Sequence, residues 1–114
     1  MKRDLQVYFE DILDSIDLIE KYTANITKVE FIKSLKIQDA VIRRYEIIGE
    51  AVKHIPQDFK KDYPKVPWKK IVGARDVFVH EYFGVKVERI WDSITNDLGP
   101  LKKQIRTMIE EYKT

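Results

Sequence analysis

The apolar residues of this 114-residue chain recur every three or four positions nearly from end to end, and no stretch alternates with period two over a useful length. A period near 3.6 gathers side chains on one face of a helix, whereas a half-buried strand needs a period of two. The fold class that follows is all-α. Breaks in the pattern divide the chain into four principal helices and one or two short ones, with no linker or repeat to split residues 1–114 into more than one domain.

Residues 4–23 read as the first helix, burying Leu5, Tyr8, Phe9, Ile12, Leu13, Ile16 and Ile19 and turning Glu10, Asp11, Asp14 and Asp17 to water. Thr27 and Glu30 have the spacing of a capping box, so a short helix should start there and run to about Ser34. A longer helix over about 36–55 buries Ile37, Val41, Tyr45, Ile48 and Val52, and Pro56 ends it. Gly49 within it costs about 1 kcal/mol relative to Ala, a cost that a close helix crossing would justify. From Gln57 to Pro67 the spacing predicts a connector with one helical turn at Asp58–Asp62. The last helical pattern starts near Val87, and Gly99-Pro100 should kink or split it.

The remaining stretch, Pro67 to Gly84, carries a contradiction. Pro suits the first turn of a helix and Gly the position just past its end. Between them Trp68, Ile71, Val72, Phe78, Val79, Tyr82 and Phe83 form one apolar stripe, and Arg75 projects from its middle. A guanidinium keeps its charge, so an apolar face is a costly place for it unless an anion meets it there. That anion is either a phosphate or a carboxylate such as Glu46 or Glu50. His80 follows five residues later, about 140° round a regular helix. Asp76 stands four residues before His80, where a carboxylate can hold an imidazole. On an unbroken helix Arg75 and His80 point apart, which predicts that the helix bends or ends before His80, or that the pair is assembled across a dimer.

Other chemistry is poorly supported. With 21 basic and 19 acidic residues the net charge of +2 implies no nucleic-acid binding by itself. Lys60, Lys61, Lys65, Lys69 and Lys70 are clustered, however, with Phe59, Tyr63 and Trp68 among them. They read either as a solubilising loop or as a phosphate-facing patch, with Lys69 and Lys70 as RNA-contact candidates. The absence of Cys removes thiol chemistry and fits a cytoplasmic protein. No apolar run approaches the roughly 18 residues of a membrane span, and the N-terminus runs into an amphipathic pattern without a signal peptide. His54 and His80 belong to no metal-ligand run and the four glycines form no phosphate loop, so no metal and no cofactor are expected. His54 is most simply a helix C-terminal residue.

The setting of Arg75 is more specific than the residue. Ile71-Val72-Gly73-Ala74-Arg75-Asp76-Val77-Phe78-Val79-His80-Glu81-Tyr82-Phe83-Gly84-Val85, then Ile90-Trp91, with Gln38 to Arg43 and Glu46-Ile47-Ile48-Gly49-Glu50-Ala51 upstream, resembles the HepT-like branch of the HEPN superfamily over nearly the whole chain. The family motif is Arg, a polar residue first among four to six, then His, with a Tyr two residues beyond; here these are Arg75, Asp76, His80 and Tyr82. Lys86, where a better helix cap is usual, and the extra Gly99 depart from the pattern away from the motif. The resemblance implies an up-and-down four-helix bundle that forms a homodimer. It implies a metal-independent endoribonuclease, the toxin of a toxin–antitoxin pair, whose partner is an MNT-type nucleotidyltransferase that can add AMP to the motif Tyr, here Tyr82. Arg75, His80 and Asp76 are then the catalytic candidates. The competing reading is a non-catalytic subunit that presents nucleotide or substrate to the nucleotidyltransferase.

Overall fold

The computed structural model describes residues 4–80 and 87–113, which form seven helices and, among the described residues, no strand. They are α1 (Leu5–Thr23), α2 (Lys28–Lys33), α3 (Leu35–His54), α4 (Gln57–Lys61), α5 (Trp68–His80), α6 (Val87–Asn96) and α7 (Leu98–Lys113). The all-α expectation holds. Tyr82, Gly84 and Lys86 lie outside the described residues.

Local chemistry sets the boundaries. Asp4 caps α1 by accepting from the Gln6 backbone N–H at 2.9 Å. The predicted capping box of α2 is present in both directions: Glu30 N donates to Thr27 Oγ1 at 3.1 Å and Thr27 N donates to Glu30 Oε1 at 2.9 Å. Ser34 closes one helix and opens the next. Its N–H donates to Phe31 O at 3.2 Å, and its hydroxyl accepts from Ile37 N at 3.2 Å. The joint is sealed by Gln38, 3% exposed, whose Nε2 donates to the carbonyls of Phe31 and Ile32 at 2.9 Å each.

One expectation needs correction. The break in the last helical pattern falls at Asp97, before Gly99-Pro100, and both of those residues sit in the first turn of α7. Proline fits there because first-turn N–H groups have no intrahelical partner to lose. Leu101 N, one residue on, already donates to Asp97 O at 3.2 Å.

The apolar stripes of α1 and α3 face each other, and α1 packs on its other side against α7. Phe9, Ile12, Ile16 and Ile19 of α1, Val41 and Val52 of α3, and Ile105 and Met108 of α7 are inaccessible to solvent. Lys102 ties α7 to α1 through Asp17 at 2.9 Å and Glu20 at 2.7 Å. α6 packs on α7 and α2, and Tyr45 of α3 reaches its Ser93 with a hydroxyl–hydroxyl contact of 2.6 Å. Burial pushes the Tyr45 phenol well above its ordinary range, so it stays neutral.

The helix that matters for chemistry is placed differently. α5 has α3 as its only extensive helical neighbour among the described residues. Its N-terminal end is anchored by the connector: Trp68 Nε1 donates to Tyr63 O at 3.1 Å, Tyr63 Oη donates to Glu111 of α7 at 3.0 Å, and Gln104 of α7 donates to Lys65 O at 3.1 Å.

The Gln38 joint gives a direct test. Gln38→Leu keeps the bulk and removes both Nε2 bonds; Phe31 O keeps the Ser34 N–H, while Ile32 O loses the partner that Gln38 supplied, at a cost of about 1–3 kcal/mol. Urea unfolding should show a lower midpoint with an unchanged slope.

Candidate active site

Arg75 lies where α5 crosses α3, and the crossing explains Gly49. A methyl group added at Gly49 would stand 2.5 Å from Arg75 Cγ, 2.6 Å from its Cβ and 3.1 Å from its Cδ. The arginine stem therefore occupies the space that any other residue at position 49 would fill. This is the close crossing expected for a glycine inside a helix. The stem is buried against α3, with the side chain 12% exposed, while its charged end emerges at the rim.

At that rim the guanidinium is surrounded. Nη2 meets Glu50 Oε1 at 3.0 Å, with Glu46 Oε2 at 4.0 Å; Nη1 donates to Asp76 Oδ1 at 2.9 Å and to His80 Nε2 at 3.3 Å. Arg75 Nε is buried and meets no acceptor among the described residues. The carboxylates have further partners, Glu46 pairing with Arg43 and Lys53 lying 3.8 Å from Glu50 and 3.9 Å from Asp76. Both anions that could have answered the buried cation, Glu46 and Glu50, are thus at the site.

Two expectations change. α5 continues through His80, and the Arg75 and His80 side chains nevertheless meet within one chain. An angle of about 140° separates the Cβ directions only, and the arginine stem is long enough to carry Nη1 round the helix to the imidazole. Asp76 stands where a carboxylate can hold the imidazole, and its hydrogen bond goes instead to the guanidinium beside it. That bond, helped by Lys53 and by the charges of Arg75 and His80, holds the Asp76 carboxyl below the ordinary Asp range against the opposing effect of burial. The same hydrogen bond, with Glu50 and Glu46 behind it, holds Arg75 above its ordinary value.

The contact between Arg75 and His80 has a definite polarity. A guanidinium has donors only, so Nε2 of His80 accepts and carries its lone pair on the side facing Arg75. The imidazole is exposed. Lys69 and Lys70 are exposed on the first turn of α5, and Lys70 pairs with Asp97 at 3.2 Å. His54 plays the structural part expected of it: Nδ1 contacts Glu50 O at 2.8 Å and the ring stacks on Tyr8 with centroids 5.2 Å apart. Lys53 was not anticipated. Its position one helical turn after Glu50 was the available signal.

The sequence profile of the family described as "Ribonuclease HepT-like" matches residues 12–108, which include every helix of the site. The chain belongs to the HepT-like family. A Thermococcus cleftensis protein named "Probable ribonuclease HepT" is 46% identical to it over 90% of this chain and 93% of its own length. A Methanocaldococcus jannaschii protein named "Gamma-glutamylcyclotransferase and putative RNase" is 43% identical over 97% of this chain, which spans only 50% of that longer protein. No solved structure matches significantly. The sequence resemblance to the HepT-like branch is therefore correct, and among the described residues no helix is long and apolar enough to cross a membrane.

Two measurements check the geometry of this HepT-like site. Gly49→Ala gains about 1 kcal/mol of helix propensity but forces the α3–α5 crossing apart at a cost of about 1–3 kcal/mol. A net loss of stability in urea unfolding is expected, since the obstructing atoms are the Cβ and Cγ of Arg75 and not a flexible tip. The second concerns pH. A carboxyl whose pKa is depressed in the folded state adds stability above its ordinary pKa and loses it as pH falls through the depressed value. Asp76 should therefore support the site at neutral pH and release Arg75 only below about pH 4, as an NMR titration of its side-chain carboxyl would show.

Proposed function

We propose that this chain is a metal-independent endoribonuclease, the toxin of a toxin–antitoxin pair, acting at Arg75 and His80. The observation that carries the reading is the meeting of these two side chains at 3.3 Å on the exposed rim of α5. The family membership and the names of the relatives support it.

RNA brings its own nucleophile. The 2′-hydroxyl attacks the adjacent phosphorus, an O2′–P bond forms, and the P–O5′ bond breaks. A base must take the 2′ proton, a cation must meet the charge on the phosphorane, and an acid must protonate the departing 5′-oxygen. His80 serves as the base through Nε2, whose lone pair is freed for the 2′ proton when Arg75 Nη1 turns to the phosphate. Arg75 stays charged and donates in pairs, so it meets the phosphorane oxygens. To do so its donors exchange Glu50 or Asp76 for phosphate; Asp76 otherwise holds the guanidinium against the imidazole. One His cannot supply the acid in the same step, and a two-fold homodimer of four-helix bundles would bring a second motif to the cleft. The products are a 2′,3′-cyclic phosphate and a 5′-hydroxyl. Neutralisation falls to an MNT-type nucleotidyltransferase antitoxin, through addition of AMP to Tyr82.

A second reading rests on the saturation of Arg75 by Glu50 and Asp76. A guanidinium already answered by two carboxylates also suits a non-catalytic subunit that presents nucleotide or substrate to a nucleotidyltransferase.

Digestion of RNA by the purified protein separates the two. Loss of a positioned general base typically costs 10²–10⁴-fold, so His80→Ala should lose about that much, and Arg75→Ala a similar factor, with an unchanged helical circular-dichroism spectrum. Undiminished cleavage by both variants would overturn the nuclease reading, and intact RNA with tight nucleotide binding would favour the second. Intact mass after co-expression with the nucleotidyltransferase should show whole AMP units, absent in Tyr82→Phe.

A further inference from the structure

Beside the site, on the connector face of α5, runs an open groove of about 660 Å³. Its floor is apolar, built from Val66, Trp68 and Val72, and its rim carries Lys60, Lys61, Lys69 and Lys70. The groove extends to Asp76, the residue hydrogen-bonded to Arg75, so it opens onto the candidate active site. Lys61 and Lys69 are exposed and make no ion pair among the described residues. Trp68 is held in place by its Nε1 bond to Tyr63 O, and the Lys60 ammonium lies 5.9 Å from the centre of its ring.

We propose that this groove is the track along which single-stranded RNA enters the Arg75/His80 site, with lysines on its phosphates and Trp68 against a base. The inference rests on the nuclease reading and names the form of its substrate. Cations along the rim match a backbone bearing one charge per nucleotide. A fixed indole in an apolar floor suits a base whose face is free, and bases in a duplex have their faces stacked on one another. An anionic protein segment could also use the rim and the floor, but it gives no reason for the groove to reach Asp76 beside the Arg75/His80 pair.

Binding can be read apart from cleavage with a 2′-O-methyl oligoribonucleotide, which lacks the attacking hydroxyl. Fluorescence anisotropy would compare wild type, Lys61→Glu/Lys69→Glu and Trp68→Leu over a range of salt. The double reversal should weaken binding at least tenfold and make the slope of log K against log salt shallower by about 1.4, two contacts at ~0.7 each for a single strand. Trp68→Leu should lose roughly tenfold, from the lost stacking, with a smaller change in slope. Duplex RNA of the same sequence should bind more weakly than the single strand. Unchanged affinity and slope in the double reversal, or equal binding of duplex and single strand, would overturn the proposal. The nuclease reading fails separately: groove-dependent binding without cleavage of ordinary RNA removes the chemistry and leaves the track, whereas cleavage unaffected by the reversals removes the track and leaves the chemistry.

Discussion

The arrangement depends on a charged side chain laid through an apolar helix crossing. Arg75 spends its aliphatic stem between α3 and α5, where Gly49 makes room, and delivers its guanidinium to a rim where Glu50, Asp76 and His80 receive it. Burying the stem contributes as any apolar contact does, while the charge stays where water and carboxylates can answer it. Leaving the charge unanswered would cost several kcal/mol. The crossing and the site are therefore one construction: the glycine that allows the helices to approach also sets where the cation stands.

That construction places the two readings of Arg75, structural ion pair and phosphate ligand, in sequence and not in opposition. In the unliganded protein Glu50 and Asp76 keep the guanidinium oriented and paired. A phosphate arriving as proposed would compete for the same donors, and the carboxylates it displaced would have Lys53 and Arg43 at hand. In the unliganded protein Arg43, Lys53 and Arg75 balance Glu46, Glu50 and Asp76.

Much of this was legible in the residues. The helical period placed α1 and α3 to within a residue or two, and the capping box at Thr27 and Glu30 placed α2, because both signals act over a few neighbouring positions. Gly49 within a helix correctly announced a close crossing. What the residues could not disclose was reach. Helical-wheel angles describe where Cβ points, and for a side chain as long as arginine the far end is decided by packing around the stem; hence Arg75 and His80 meet where their angles set them apart. The destination of Asp76 was missed for a related reason. An i,i+4 imidazole and an adjacent guanidinium both compete for one carboxylate, and only the orientation of Arg75 decides between them. The split of the last helix fell at Asp97, ahead of Gly99-Pro100, because a proline tolerated in a first turn marks a helix start as readily as an interruption.

The placement of α5 has a consequence for how the molecule breathes. The α1–α3–α7 assembly is held by buried side chains on several sides, whereas α5 is gripped along one flank and at one end. Local openings are cheapest where buried contact is least. Detachment of this one helix separates Arg75 from Glu50 and withdraws Phe78 from the core, while the α1–α3–α7 packing stays in place. The free energy that keeps the site assembled is thus a smaller quantity than the free energy that keeps the chain folded, and a ligand gripping α5 at its rim would raise both by the same amount, a far larger fraction of the first.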